Sequence, residues 1–126
     1  IDSVPTEMPV FQLVAGNTRL YGGMFRLTSD ARMDDGLLDV CVFAGSGRVA
    51  LGRMLWRARG GHLHERAGRG IEYLRGERVD VASSRRLAVQ ADGEYVGDTP
   101  VTMSVEPLSL TVLIGTRPNA LLGERA

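Results

Sequence analysis

Most of the chain consists of short segments in which apolar and polar residues alternate. Such alternation places every second side chain on one face of a strand. The 16 Gly and 5 Pro of the chain separate these segments at short, regular intervals. This pattern is typical of a β-sandwich or barrel. We predict a mainly β, two-layer sandwich with seven strands, over residues 10–15, 19–27, 37–43, 79–81, 87–91, 101–105 and 108–114.

Two segments depart from simple alternation. Gly22-Gly23 interrupts the second predicted strand, where we expect a bulge or a close backbone approach. Between residues 47 and 59, apolar side chains recur at helical spacing, which predicts one helix packed against the core. An alternative for this helix is contact between its apolar stripe and a membrane surface.

Composition and charge limit the classes of function. The 126 residues suffice for one domain, and 15 basic against 15 acidic residues leave no positive excess for a nucleic-acid partner. The single cysteine, Cys41, lies in an apolar run and favours a reducing compartment. No apolar run is long enough to span a bilayer, and the chain begins at Ile1 without an export signal. We therefore expect a single domain, residues 1–126, cut from a longer cytoplasmic protein.

Two acidic turns are candidate sites. Adjacent carboxylates in Asp34-Asp35-Gly36 can bind a hard cation, although Asp-Gly is also an ordinary turn dipeptide. Asp92-Gly93-Glu94 falls between apolar segments, which predicts a hairpin tip. A rigid hairpin can present a general base to a neighbouring surface, and the alternative is a hairpin with no chemical role.

Two histidines alternate in the segment from His62 to His64, so an extended backbone would place both on one face. A zinc site needs a third protein ligand, and none follows at a suitable spacing. We interpret this segment as a solvated loop or a strand edge.

Several of these motifs together resemble the C-terminal domain of the soluble diacylglycerol kinase family, which includes bacterial lipid kinases and the sphingosine and ceramide kinases. The resemblance covers about residues 10–114. The motifs that carry it are Gly16-Asn17, Tyr21-Gly22-Gly23-Met24, Ala31–Val40 (ARMDDGLLDV), Val89–Glu94 (VQADGE) and Thr99-Pro100-Val101.

This resemblance implies a β-sandwich like that of the NAD kinases, preceded by an α/β domain that binds ATP through a Gly-Gly-Asp-Gly-Thr loop. The active site would lie between the two domains. The chain contains no such loop. We therefore expect this chain to be the C-terminal half of the kinase and to be inactive alone.

The resemblance also implies roles for particular residues. The family's metal site falls on the Asp35 side chain and the backbone carbonyls of Arg32 and Leu37, where Mg²⁺ would organise the fold rather than the phosphates. The family's proton acceptor falls on Glu94, with Asp92 in the same turn. Gly16 and Asn17 would bring backbone and an amide close to the cleft that holds the cofactor, and the alternative there is a structural turn.

These implications define an expected function. The domain would belong to an ATP- and Mg²⁺-dependent kinase that phosphorylates a hydroxyl of diacylglycerol or a related lipid. Its partners would be the lipid, its own N-terminal ATP-binding domain and, transiently, the membrane surface, and an uncovered sandwich face could also pair two copies into a homodimer. One alternative is a non-catalytic sandwich module that binds a divalent ion and a protein or sugar partner. A two-carboxylate glycosidase ranks last, because nothing in the sequence brings Asp35 or Asp39 close to Glu94.

Overall fold

The computed structural model describes residues 1–2, 4–22, 25–45, 52, 56 and 70–113. Within them are seven strands. They are β1 (Val10–Gly16), β2 (Leu38–Ala44), β3 (Ile71–Gly76), β4 (Arg78–Val81), β5 (Ala88–Ala91), β6 (Glu94–Asp98) and β7 (Val101–Ser104). The mainly β architecture predicted from the alternation is confirmed.

Strand β2 is the centre of the fold. It pairs antiparallel with β1 on one side and with β3 on the other. Strands β4 and β7 form a second antiparallel pair, and β5 and β6 form a hairpin. Residues 39–43 of β2 are all buried, which explains why its sequence is an almost continuous apolar run.

Each face of β2 packs against a different apolar cluster. On one face, Val40 and Val42 pack with Val79 of β4, and Met103 of β7 borders them. This contact joins the three-stranded sheet to the β4–β7 pair as the two layers of the sandwich. On the other face, Cys41 and Phe43 belong to a cluster completed by Val14, Leu27 and Ile71.

Residues 19–27 were predicted as one strand, and this prediction is wrong. Tyr21 and Phe25 form an isolated antiparallel bridge instead, with hydrogen bonds of 2.7 and 3.1 Å between their backbones. Gly22 has a φ of +58°, so the chain turns back on itself there rather than continuing extended. The apolar positions still reach the core, because Leu27 is buried and Phe25 packs against it.

The predicted last strand, residues 108–114, is also not formed over its described part, 108–113. Leu108 has a φ of +58°, which interrupts an extended backbone at the first position. Within the part of the chain that the structure describes, no strand pairs with this segment. Strands β3 and β6, in contrast, were not predicted.

The predicted helix at 47–59 and the loop with His62 and His64 lie outside the described residues, except for Gly52 and Trp56. The helix therefore stays a prediction. Among the residues that the structure does describe, no helix is long and apolar enough to cross a membrane.

Candidate functional site

The candidate metal residues lie at one end of the three-stranded sheet. Gly16, the last residue of β1, pairs with Asp39 near the start of β2. Asn17 therefore follows the end of β1, beside the loop that contains Asp35. This loop leads into β2, which begins at Leu38. Residues that are 18 positions apart along the chain, Asn17 and Asp35, are neighbours at this end because the strands are antiparallel.

The connection between β1 and β2 is held against the end of β1 by hydrogen bonds. The Thr28 hydroxyl donates to the carbonyl of Thr18 at 2.6 Å, and the Arg19 Nε atom donates to the carbonyl of Ala31 at 3.3 Å. Gly16 favours this contact, because a Cβ atom there would lie 3.0 Å from Oγ1 of the buried Thr28, which is tighter than an ordinary van der Waals contact. The glycine thus lets the loop approach the strand closely.

The Asn17 side chain faces two backbone carbonyls of this loop. One terminal atom of its amide lies 3.0 Å from the carbonyl oxygen of Arg32 and 3.3 Å from that of Leu37. With the amide nitrogen at this position, Asn17 donates a hydrogen bond to each carbonyl. The carbonyls that the family resemblance implies as metal ligands therefore converge on a single side-chain atom.

The Asp35 carboxylate makes contacts with both its own loop and the three-stranded sheet. Its Oδ1 atom accepts a hydrogen bond from the Leu37 backbone N–H at 3.1 Å, which closes the turn around Gly36. Gly36 has a φ of +73°, as such turns often require. The Oδ2 atom of Asp35 forms an ion pair with the Arg75 guanidinium of β3.

Arg75 joins Asp35 to a second carboxylate, Asp39. Asp39 and Arg75 are directly opposite each other on β2 and β3, and their side chains lie 3.2 Å apart from Oδ1 to Nε. The Asp39 side chain is fully buried. Its other oxygen, Oδ2, has no hydrogen-bond partner within the described part of the chain.

Tyr73 completes this group. Its hydroxyl donates to Asp39 Oδ1 at 2.7 Å and accepts a hydrogen bond from the backbone N–H of Asp30 at 3.1 Å. Burial raises the pKa of Tyr73, and the hydrogen bond to Asp39 raises it further. Burial lowers the pKa of Arg75, but attraction to Asp39 and Asp35 outweighs this effect, so the net shift is upward. The tyrosine therefore stays neutral and the arginine stays charged.

Glu94 and Asp92 lie on the β5–β6 hairpin, as predicted. Asp92 and Gly93 have φ values of +51° and +95°, as a type I′ turn requires, and Ala91 pairs with Glu94 directly across it. Both acidic residues are exposed. Among the described residues, no hydrogen bond or ion pair joins either of them to the loop of Asp35, although a hydrogen bond from Gln90 to the Tyr21 hydroxyl links the hairpin to the β1–β2 connection.

The structure thus brings five of the seven predicted site residues together. They are Gly16, Asn17, Arg32, Asp35 and Leu37. Side-chain clusters of three or more His, Cys, Asp or Glu residues that could hold a metal ion are absent from the described ranges. A cation site here therefore depends on carbonyl and amide oxygens as well as carboxylates, which suits a hard cation.

The sequence interpretation missed the roles of Tyr73 and Arg75, since it predicted no strand at β3. It gave Asp39 no role beyond the glycosidase alternative, which ranked last. A signal was present for Asp39, because a carboxylate stands at an inward position in the apolar run of β2. Such a residue is expected to have a buried cationic or hydrogen-bonding partner.

A partly open cavity of about 450 Å³, which Glu7 and Asp80 also line, lies on the face of the three-stranded sheet opposite Cys41 and Phe43. It extends between this sheet, β4 and the N-terminal segment. Its apolar lining includes Met8, Leu13, Val40, Val42, Leu74 and Val79.

These features define a β-sandwich domain with an oxygen-rich loop at one sheet end. Over residues 1–114, the sequence matches the family described as the YegS C-terminal NAD kinase β-sandwich-like domain, and the chain belongs to this family. It is also 27% identical over 92 residues to a diacylglycerol kinase of Staphylococcus carnosus (strain TM300), a match that covers 72% of this chain. The aligned region spans 29% of that kinase. The chain is thus a domain of the lipid kinase family, as its motifs suggested.

Proposed function

We propose that this domain is the C-terminal half of an ATP- and Mg²⁺-dependent kinase that phosphorylates a hydroxyl of diacylglycerol or a related lipid. The family match over residues 1–114 carries this proposal, and the similarity to a diacylglycerol kinase supports it. Because the match covers only 29% of that kinase, we assign the ATP-binding site to a separate N-terminal domain, which would be the partner of this one.

Glu94 is the proposed proton acceptor. Its carboxylate lies at the exposed end of a two-stranded hairpin, where it can reach a substrate bound between two domains. As the lipid oxygen attacks the γ-phosphorus of ATP, the hydroxyl proton passes to Glu94 and the bond to the ADP oxygen breaks. Asp92 precedes it in the turn and adds negative charge beside the acceptor. The main contribution of Glu94 is to orient the lipid hydroxyl, because the transition state of phosphoryl transfer is loose.

Asp35, with the carbonyls of Arg32 and Leu37, is the proposed Mg²⁺ site. The donor set fits this ion, because all three groups offer oxygen and Asp35 keeps lone pairs beyond those used by Leu37 and Arg75. Bound Mg²⁺ would supply positive charge that fixes the loop between β1 and β2. Asn17 and Gly16 position this loop against the sheet.

The aliphatic part of the cavity supports a lipid as substrate. The cavity volume of about 450 Å³ lies within the usual range for small-molecule pockets, and aliphatic side chains provide much of the lining. Acyl chains would bind there by the same burial that drives core packing. A kinase of this kind would work in the cytoplasm and take its substrate from the membrane surface.

The second candidate is a non-catalytic module that binds a divalent ion. One observation favours it: this chain contains all three proposed ligands, and no hydrogen bond or ion pair joins the described part of their loop to Glu94. In that case the acidic hairpin would be a turn without a chemical role.

The test is transfer of the ATP γ-phosphate to a mixed lipid extract by the longer natural polypeptide that carries this domain. We expect phosphorylated lipid from the parent and a loss of about 10²-fold in turnover for Glu94→Gln, with unchanged folding. Glu72→Gln, which changes an exposed glutamate on β3, is the matched control and should retain parental turnover.

Parental turnover in a folded Glu94→Gln variant would contradict the role of Glu94 alone. Absence of product with every lipid class, in the presence of Mg²⁺, would contradict the kinase proposal and favour the ion-binding module.

A further inference from the structure

The contact between Asn17 and the loop is compatible with two orientations of its amide. The amide atom that faces Arg32 and Leu37 lies 3.0 and 3.3 Å from their carbonyl oxygens. If nitrogen occupies this position, it donates two hydrogen bonds. If oxygen occupies it, three oxygen atoms converge, and they repel each other unless a cation lies among them.

The spacing of these atoms suits the second orientation as well as the first. Neighbouring ligands around octahedral Mg²⁺, bound at 2.0–2.1 Å, are about 2.9 Å apart. The two separations at Asn17 are close to this value. A rotation of 180° about the bond to the amide exchanges nitrogen for oxygen without moving the backbone, and this torsion has a broad, two-fold preference.

The neighbouring charges also favour a cation. The carboxylates of Asp35 and Asp39 share the single guanidinium of Arg75, so these three groups sum to a net charge of −1. Asp39 is fully buried, and its Oδ2 atom has no partner among the described residues. The side chains of Asp35 and Arg75 are 21% and 38% exposed, so Asp39 alone carries its charge in a fully buried place, where a nearby cation lowers the cost of that charge.

We propose that Asn17 is a reversible fourth protein ligand of this site. Without a cation, its amide nitrogen donates to the carbonyls of Arg32 and Leu37 and holds them in place. When a divalent cation binds, the amide rotates and its oxygen joins the two carbonyls and Asp35. This inference rests on the Mg²⁺ site of the proposed function and adds a residue that keeps the empty site in a form ready to bind.

The test compares Asn17→Asp and Asn17→Ala with the parent in EDTA and in a Mg²⁺ titration, by thermal unfolding. A carboxylate cannot donate to the carbonyls, so Asn17→Asp should lower the Tm in EDTA. It adds a charged ligand, so Mg²⁺ should bind on the order of tenfold tighter than in the parent and restore the Tm. Asn17→Ala should bind Mg²⁺ more weakly than the parent.

Gln12→Glu is the matched control, since it makes the same change from amide to carboxylate at an exposed position of β1. It should leave Mg²⁺ affinity unchanged. A second readout is the side-chain NH₂ signal of Asn17 in ¹⁵N NMR spectra, identified by its loss in Asn17→Asp. Its protons should be protected from exchange in EDTA and become exposed when Mg²⁺ is added.

The outcomes separate this inference from the proposed metal site. If Asp35→Asn removes the response to Mg²⁺ while Asn17→Asp binds it no more tightly than the parent, the site is correct and Asn17 is not a ligand. If neither the parent nor Asn17→Asp responds to Mg²⁺, the metal site itself is wrong, and this inference with it.

Discussion

Replacement of Asp39 by alanine tests whether the buried carboxylate holds this end of the sheet together. The fully buried side chain accepts from the Tyr73 hydroxyl at 2.7 Å and contacts Arg75 Nε at 3.2 Å. Asp39→Ala leaves the hydroxyl and the guanidinium without this acceptor. Breaking a buried charge pair costs about 3–5 kcal/mol. We expect the lower end, about 3 kcal/mol, because the Arg75 side chain is 38% exposed and retains Asp35.

The expected loss is large enough to measure directly. For a domain of this size, 1 kcal/mol corresponds to about 4 °C in Tm, so Asp39→Ala should lower the Tm by about 12 °C. Urea unfolding gives the free energy independently through the midpoint at constant slope. Both measurements belong in EDTA, so that the proposed binding of a divalent cation at the neighbouring loop does not contribute.

Asp80→Ala is the matched control for this prediction. Asp80 also pairs with an arginine, Arg78, at 3.0 Å, but both side chains are more than half exposed. Removal of such a pair should change the Tm little. A Tm for Asp39→Ala close to that of Asp80→Ala would refute the argument that burial makes the Asp39 contacts important.

Two further predictions concern the core and the close approach at the end of β1. Gly16→Ala should destabilise the fold by about 1 kcal/mol in urea unfolding, because its Cβ would lie 3.0 Å from Oγ1 of the buried Thr28. Burial raises the pKa of the Cys41 thiol from 9.0 to about 12, so above pH 9 the unfolded chain loses a proton that the folded chain keeps. The urea midpoint should therefore fall as pH rises from about 9 towards 12, with a slope of up to about 1.4 kcal/mol per pH unit from this thiol.

Each of these predictions has an internal control. Thr28→Ala removes the atom that the new Cβ would meet, so the double variant with Gly16→Ala should lose less than the sum of the single losses; strict additivity would contradict the contact. Cys41→Ala should flatten the alkaline slope without removing it, because the raised pKa of Tyr73 acts in the same direction at higher pH. An unchanged slope in Cys41→Ala would show that the thiol is not responsible.

The sequence predicted the strands whose alternating side chains pack into the core. It failed where strand formation depends on a partner strand or where a residue with positive φ interrupts the extended backbone. Residues 10–15 and 37–43 became β1 and β2 because their alternate side chains are covered on both sides of the sheet. Residues 108–113 alternate equally well but have no partner strand among the described residues. Alternation indicates which face of a strand a residue would occupy. A strand also needs a neighbouring strand whose backbone forms hydrogen bonds with its N–H and C=O groups.

Strand β3 was missed for a related reason. Its sequence does not alternate between apolar and polar residues because both faces of the strand carry apolar side chains: Leu74 packs on the sandwich side, and Tyr73 packs against the other cluster. Arg75 is polar at an inward register position because Asp39 is opposite it. Tyr73 and Arg75 are therefore recognised as strand residues only when their partners on β2 are known.

The candidate site was predicted in part because its pieces are local turns, whereas their assembly depends on the register of the sheet. The Asp35 turn and the hairpin of Asp92 and Glu94 follow from Asp-Gly dipeptides alone. Their long-range partners do not. Gly16 pairs with Asp39 in the β1–β2 ladder, and this register places Asn17 beside the carbonyls of the loop. Asp39 pairs with Arg75 in the β2–β3 ladder, where a slip of one residue would turn the buried carboxylate away from the arginine. The ion pair at Asp39 therefore favours the register of β2 with β3, and the same guanidinium holds the Asp35 turn against β3.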